Sequence, residues 1–256
     1  MAFDQDLTAC AGLVQRGDPD RFAATMAAPV AARAGLFAIY AFNVEVSRAP
    51  WVTQESMIAE MRLQWWRDVL EEIRAGGPVR RHEVATPLAR VLSPDMAGRL
   101  DALVEARRWD IYRDPFEDMA AFRTHLETTS GLLLLAAARS LGEVDEAPVL
   151  QAGYAQGMAN WLRAVPALER AGRIPLVEGT WEAVRGLARE GLEALSAARS
   201  ARISPAARPA MLSLWQTGPL LRRALRDPGR VAAGALALPP IRRRAGLMWC
   251  AATGRW

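Results

Sequence analysis

A chain of 256 residues, 51% hydrophobic and 23% charged, has enough apolar sequence for a sizeable core, which excludes a disordered or low-complexity polymer. Its 32 basic residues are all arginine and exceed the 28 acids by four, which favours anionic partners such as diphosphates or acidic phospholipid without choosing among them. Two cysteines near opposite ends, Cys10 and Cys250, and two isolated histidines, His82 and His125, exclude a disulfide framework and a Cys/His zinc site, so a reduced, cytoplasmic setting is expected.

The acidic start MAFDQDLTACAG lacks the positive and apolar regions of an export signal. From there the apolar residues recur at three and four, with no strand-like alternation. Asp18 and Pro19 predict one helix start, and Pro29 opens a helix running towards Pro50. Thr53 is expected to cap QESMIAEMRLQWWRDVLEEIRAGG, with Met57, Met61, Trp65 and Val69 as its apolar stripe and Gly76 as its stop. Ser93 and Pro94 start a helix that ends before Pro115. A single helix is then predicted over FEDMAAFRTHLETTSGLLLLAAARSLG, with the all-round apolar stretch Leu132 to Ala138 in the core.

Asp145 caps the next helix, where Pro166 removes an amide and is expected to kink the chain. Helices over 180–203 and 204–226 follow, and then a basic tail from about 227. The apolar run 231–241 holds Pro239 and Pro240 and falls short of the roughly 20 residues of a membrane span. About nine or ten helices with short connections and no repeat imply a single all-α domain over 1–256.

Three segments carry a family likeness: LFAIYAFNVEVSRAPW, RLQWWRD and GYAQGMANWLRAVPALERAGRIPLV. Through Gly153, Ala155, Asn160, Arg163, Gly172, Arg173 and Leu176, the chain resembles the squalene/phytoene synthase family of head-to-head prenyl transferases, over roughly Arg21 to Val177. That resemblance implies an all-α helical bundle of the trans-isoprenyl diphosphate synthase type. It also implies, in the family, carboxylates one turn apart on two helices that hold magnesium against a diphosphate.

This chain departs from that pattern. The aligned acidic positions hold Ser47, Arg48 and Trp51 on the first helix, and Ala164 and Leu168 on the second. Glu45 and Glu169 sit round their helices from those positions, and Gly157 and Ala159 replace the family's Gln and Thr. No cofactor is therefore expected, with magnesium required only by a rebuilt site. YAFNVEVSR followed by EMRLQWWRDVLEEI is further similar to an aspartate-lacking branch of the family that includes a mitochondrial respiratory complex I assembly factor. That likeness implies a fold retained for complex I (NADH dehydrogenase) biogenesis, with protein partners, against the inner face of the inner membrane.

Tyr40, Asn43, Glu45, Arg62, Trp66, Asn160, Arg163 and Arg173 are candidates to line an inherited cavity that would take an isoprenoid or lipid. For the polar members the competing expectation is structural, as partners between helices or as solvated charge. Trp65, Trp66, Trp109 and Trp161 are expected to pack between helices, and Asp110 with Asp114 to form an ion-paired surface turn. In the C-terminal segment, Arg242, Arg243 and Arg244 among Leu, Met and Trp suit an anionic membrane surface, or else a solvated helix pair. No nucleic-acid module accompanies the charge. Three functions remain open: a non-catalytic assembly protein, a prenyl transferase with a rebuilt active site, and an isoprenoid or lipid carrier.

Overall fold

Asp18 with Pro19, and Pro29, start helices where the sequence predicts. A computed structural model describes residues 4–53 and 55–256, all helix, turn or loop, with no strand among them. The opening residues 1–3, on which the expected lack of an export signal partly rests, lie outside the described residues. Contacts group the chain into two compact units: Met1–Tyr112 with Leu135–Val144 and Ser204–Ser213, and Arg113–Leu134 with Asp145–Ile203 and Leu214–Trp256.

In the first unit, Asp4 caps α1 (Gln5–Gly17) by accepting the Leu7 amide at 2.9 Å. Asp18 caps α2 (Pro19–Ala27), with Pro19 as its first residue. The next helix, α3 (Val30–Arg48), is buried at every position from Ala34 to Val44, because its sequence is apolar on nearly all sides. It packs against α1 and α2. A Cβ on Gly17 would lie 2.5 Å from Val44 Cγ1, so only glycine allows α1 this close.

Helix α4 (Ser56–Arg74) starts later than Thr53 predicts. Its N-cap is Glu55, and the Thr53 hydroxyl accepts the Glu55 amide at 3.1 Å instead; Gln54 lies outside the described residues. The expected stripe is also corrected. Met57 and Met61 are 74% and 65% exposed, whereas Ala59, Leu63, Trp66, Leu70 and Ile73 form the buried face. Spacing four advances about 40° per step round the helix, so the 57–61–65–69 row spirals off the contact face and only Val69 reaches it.

Three shorter helices follow: α5 (Ala85–Ala89), α6 (Pro94–Ala106), capped by Ser93, and α7 (Trp109–Tyr112). Arg67 on α4 forks onto Asp101 of α6 at 2.7 and 2.9 Å and reaches Glu105 at 2.7 Å. Asp110 is not a surface residue as expected. It is buried 3.7 Å from Arg107, because α7 turns it inward, while Asp114 is exposed.

The single helix predicted from Phe116 to Gly142 is interrupted. Asp118 caps α8 (Met119–Leu126), the chain then widens into a π-turn over Glu127–Gly131, and α9 (Leu132–Arg139) follows. Leu133 to Ala138 are buried all round, as their composition requires. In the second unit the π-turn meets α10 (Glu146–Arg170), capped by Asp145. A Cβ on Gly153 would stand 2.7 Å from Gly131 Cα and 2.9 Å from the Ser130 carbonyl, and one on Gly157 would stand 2.8 Å from Ser130 Cβ. The Thr129 hydroxyl donates to the His125 carbonyl at 2.6 Å, satisfying a group that the wider turn loosens.

Pro166 does not stop α10, which continues one turn to Arg170, whose Nε donates to the Pro166 carbonyl at 3.0 Å. Thr180 caps α11 (Trp181–Ser200), which packs along α10. The helix predicted over 204–226 is broken into α12 (Arg208–Met211), a 3-10 turn and α13 (Thr217–Arg226). Pro205, Pro209 and Pro219 each lack an amide and favour the first turn of a helix over its interior, so together they break the span. The basic tail is itself helical, as α14 (Gly229–Ala232) and α15 (Pro240–Thr253).

The glycine contacts predict opposite outcomes for two alanine substitutions. Gly153→Ala should lower stability by about 1–3 kcal/mol through backbone overlap. Gly186→Ala, exposed inside α11 with nothing within 4 Å, should raise it by about 0.5–1 kcal/mol. Urea unfolding of the two purified variants beside the parent measures both.

Candidate functional site

At the end of α3 the metal-binding positions of the resembled family have other work. The Ser47 hydroxyl donates to the Val44 carbonyl at 3.2 Å, Arg48 is exposed 3.9 Å from Glu45, and Trp51 lies exposed past the helix end. Tyr40 and Asn43 face the unit's interior. The Arg21 guanidinium lies 5.5 Å from the Tyr40 ring, and burial pushes the Tyr40 phenol up while Arg21 opposes the shift. Arg21 is itself paired with Asp18 at 2.6 Å. Asn43 is buried, and its Oδ1 has no hydrogen-bond partner among the described residues.

Three candidate residues do converge. Glu45, Arg62 and Trp66 line one cavity of about 320 Å³ with Ala49, Trp65 and His82. Trp65 and Trp66 meet edge to face at 4.8 Å, and the His82 ring packs 4.9 Å from Trp65 and 5.6 Å from Trp66. The Val84 amide donates to His82 Nδ1 at 3.1 Å, which leaves the proton of the neutral ring on Nε2. Tyr40 and Asn43 are not among the lining residues. His82 could not be placed here from sequence, since it lies on an irregular loop beyond the end of α4, which carries no periodicity.

In the second unit the Arg163 guanidinium reaches Asn160 Oδ1 at 3.3 Å, with Arg163 exposed and Asn160 half-buried. Ala164 is half-buried and Leu168 buried. Arg173 is buried and lines a separate cavity of about 400 Å³ with Val165, Glu169, Ile174, Pro175 and Trp181. The Trp161 indole donates to the Pro175 carbonyl at 2.8 Å and so holds that wall in place. Trp66 and Trp161 are buried as expected, whereas Trp65 and Trp109 are only half-buried.

No group of three or more His, Cys, Asp or Glu among the described residues is placed to hold a metal ion. The thiols are also set apart from chemistry. Cys10 donates to the Glu83 carbonyl at 3.4 Å, and burial pushes it up to about 12. On α15, Ile241, Met248 and Trp249 are 82%, 71% and 62% exposed, while Cys250 on the opposite side is buried. Arg242 and Arg244 are exposed and Arg243 half-buried.

Comparison with known proteins adds three findings. The family model described as Squalene/phytoene synthase matches residues 14–256. The chain is 33% identical over 172 residues to the protein of Drosophila melanogaster named NADH dehydrogenase (ubiquinone) complex I, assembly factor 6 homolog, covering 63% of this chain and 51% of that one. It is 26% identical over 161 residues to complex I assembly factor 6 of Homo sapiens, covering 61% and 48%. The chain thus spans about half the length of the curated relatives it matches.

Among solved structures, a dehydrosqualene synthase in complex with ligand matches with a TM-score of 0.78 at 14% identity, over 96% of this chain and 95% of that one. Squalene synthase HpnC from Alicyclobacillus acidocaldarius matches with a TM-score of 0.60 at 16% identity, over 97% and 94%. At these identities the likeness establishes the fold, an all-α isoprenoid-synthase bundle.

The side chains at the metal-binding positions lead to a prediction about magnesium. A ligand that binds only the native state raises the unfolding midpoint. Millimolar magnesium should leave that midpoint where it is, measured by thermal scan against a sodium control of equal ionic strength. A magnesium-specific rise would mean that the native chain holds the ion in a site of its own.

Proposed function

The chain belongs to the squalene/phytoene synthase family, and we propose that it is a non-catalytic member that assists assembly of respiratory complex I, in the cytoplasm against the inner face of the inner membrane. One observation carries the non-catalytic half. Ser47, Arg48, Trp51, Ala164 and Leu168 stand where the resembled transferases place carboxylates, and none of them supplies the carboxylate oxygens that hold magnesium ions against a diphosphate there. Ionising an allylic diphosphate without such ions would leave the departing charge uncompensated. The assembly half is supported by the relatives, whose printed names assign them to complex I assembly.

The C-terminal helix supports the membrane part of this reading. Ile241, Ala245, Met248, Trp249 and Ala252 fall within an arc of about 100° on α15, all exposed, with Arg242 and Arg244 on its two borders. Arg243 lies near the Cys250 side. An exposed apolar stripe bordered by guanidinium groups suits the headgroup layer of an anionic bilayer. Among the described residues no helix is long and apolar enough to cross a membrane.

Pyrophosphate release from farnesyl and geranylgeranyl diphosphate, with and without magnesium and beside an aspartate-bearing synthase, tests the chemistry. No release is expected, and magnesium-dependent release would establish a rebuilt enzyme instead. Cells lacking the chain should lose assembled complex I and regain it with the wild-type gene; unchanged complex I would refute the assembly role. At about 1 kcal/mol per surface arginine, Arg242→Ala with Arg244→Ala should weaken binding to anionic vesicles roughly thirtyfold at low salt, and Arg243→Ala much less.

A further inference from the structure

The cavity in the first unit has an unusual charge arrangement. Glu45 and Arg62 both line it, yet they do not pair with each other: the ion pair of Glu45 is the exposed Arg48 at 3.9 Å. The Arg62 side chain has no hydrogen bond or ion pair among the described residues. An acid and a base thus share one small cavity without neutralising each other across it. The rings of Trp65, Trp66 and His82 line the same cavity.

Each feature selects part of a ligand. Indole is the side chain whose face attracts a cation best, and Trp65 already holds the Arg80 guanidinium 5.4 Å from its ring centre. A cavity with two indoles and a carboxylate therefore suits an ammonium group. Arg62 suits the opposite partner, since guanidinium forks onto phosphate oxygens. The volume of about 320 Å³ lies at the lower end of small-molecule sites, at roughly 300–1,000 Å³, and fits a compact headgroup.

We propose that the cavity formed by Glu45, Arg62, Trp65, Trp66 and His82 binds an ammonium–phosphate zwitterion of the phosphocholine or phosphoethanolamine kind. The ammonium is held by Glu45 and the indoles, and the phosphate by Arg62. The surroundings favour the headgroup of a phospholipid as its source. Ile58 and Met61 precede Arg62 and Trp65 by one helical turn, and Trp51 lies just beyond Ala49; all three are exposed. An apolar collar beside a headgroup cavity is what the glycerol and upper acyl carbons of a lipid require. This inference goes beyond the assembly reading and does not depend on it, because ligand binding alone decides it.

Titration calorimetry with phosphocholine on the full chain tests the proposal, beside choline alone and inorganic phosphate alone. Phosphocholine should bind more tightly than either half. Glu45→Gln and Arg62→Gln should each weaken it by about tenfold, as expected for loss of one charged contact. Both side chains are at least partly solvated, so the fold persists, and circular dichroism verifies it. Absence of binding at millimolar phosphocholine would overturn the proposal, as would affinity unmoved by both substitutions. Phosphate alone binding equally well would reduce the cavity to an anion site and also overturn it.

The source is read from uncharged phosphatidylcholine vesicles, using a background carrying Arg242→Ala and Arg244→Ala to silence α15. Vesicle binding lost with Glu45→Gln assigns the site to a lipid headgroup, while phosphocholine binding without vesicle binding assigns it to the soluble zwitterion. Either result upholds the proposed ligand chemistry. Failure here would leave the complex I phenotype untouched, so the two readings fail separately.

Discussion

Helix α10 must be approached at backbone distance, and glycine is what permits it. Gly153 and Gly157 leave room for the π-turn of Glu127–Gly131, where a methyl group would stand inside 3 Å of backbone or Cβ atoms. On another side Gly191 of α11 lies where a Cβ would be 3.2 Å from Met158 of α10 and 3.0 Å from Leu221 of α13. Close approach maximises the number of dispersion contacts per turn, and at native packing density that determines how firmly the helices are held. The extra residue of the π-turn and the glycine notch facing it are complementary parts of one contact. The position of everything else on α10, including Asn160, Arg163, Ala164 and Leu168, is inherited from that contact.

The loss of the acidic positions has an electrostatic consequence beyond metal binding. A cluster of carboxylates in a closed site is tolerated only because the metal ions and substrate neutralise one another. Ser47 and Trp51 in the first unit, and Ala164 and Leu168 in the second, carry no charge that would need such balancing. Leu168 is buried, and Ser47 is turned back onto the Val44 carbonyl, so these side chains contribute to packing and local hydrogen bonding. None of the four carries a charge, and the charged residues act elsewhere.

Where they act is mostly at helix interfaces and rims. Arg67 clamps α4 to α6 through Asp101 and Glu105, Arg108 reaches Glu60 at 2.8 Å, and Arg80 holds Glu72 at 2.8 Å while stacking on Trp65. Such pairs are partly solvated, and each contributes modestly, at about 0.2–1 kcal/mol. Planar forks suit these roles better than lysine would. Against that background Arg62 stands out, because its guanidinium takes part in no clamp.

How much of this was legible in the sequence follows the range of the interactions. Helical content, the caps at Asp18, Ser93 and Asp145, and the all-round burial of Leu133 to Ala138 follow from local propensity and composition, which act over one or two turns. The missing carboxylates are a property of residue identity and need no coordinates. The buried face of α4, the π-turn, the inward Asp110, and the meeting of His82 with Trp65, Trp66, Glu45 and Arg62 were decided by tertiary structure alone. Each depends on which neighbouring helix supplies the contact. A spacing of four does not specify that neighbour, and residues separated by a loop of irregular backbone carry no periodic signal of where they will meet.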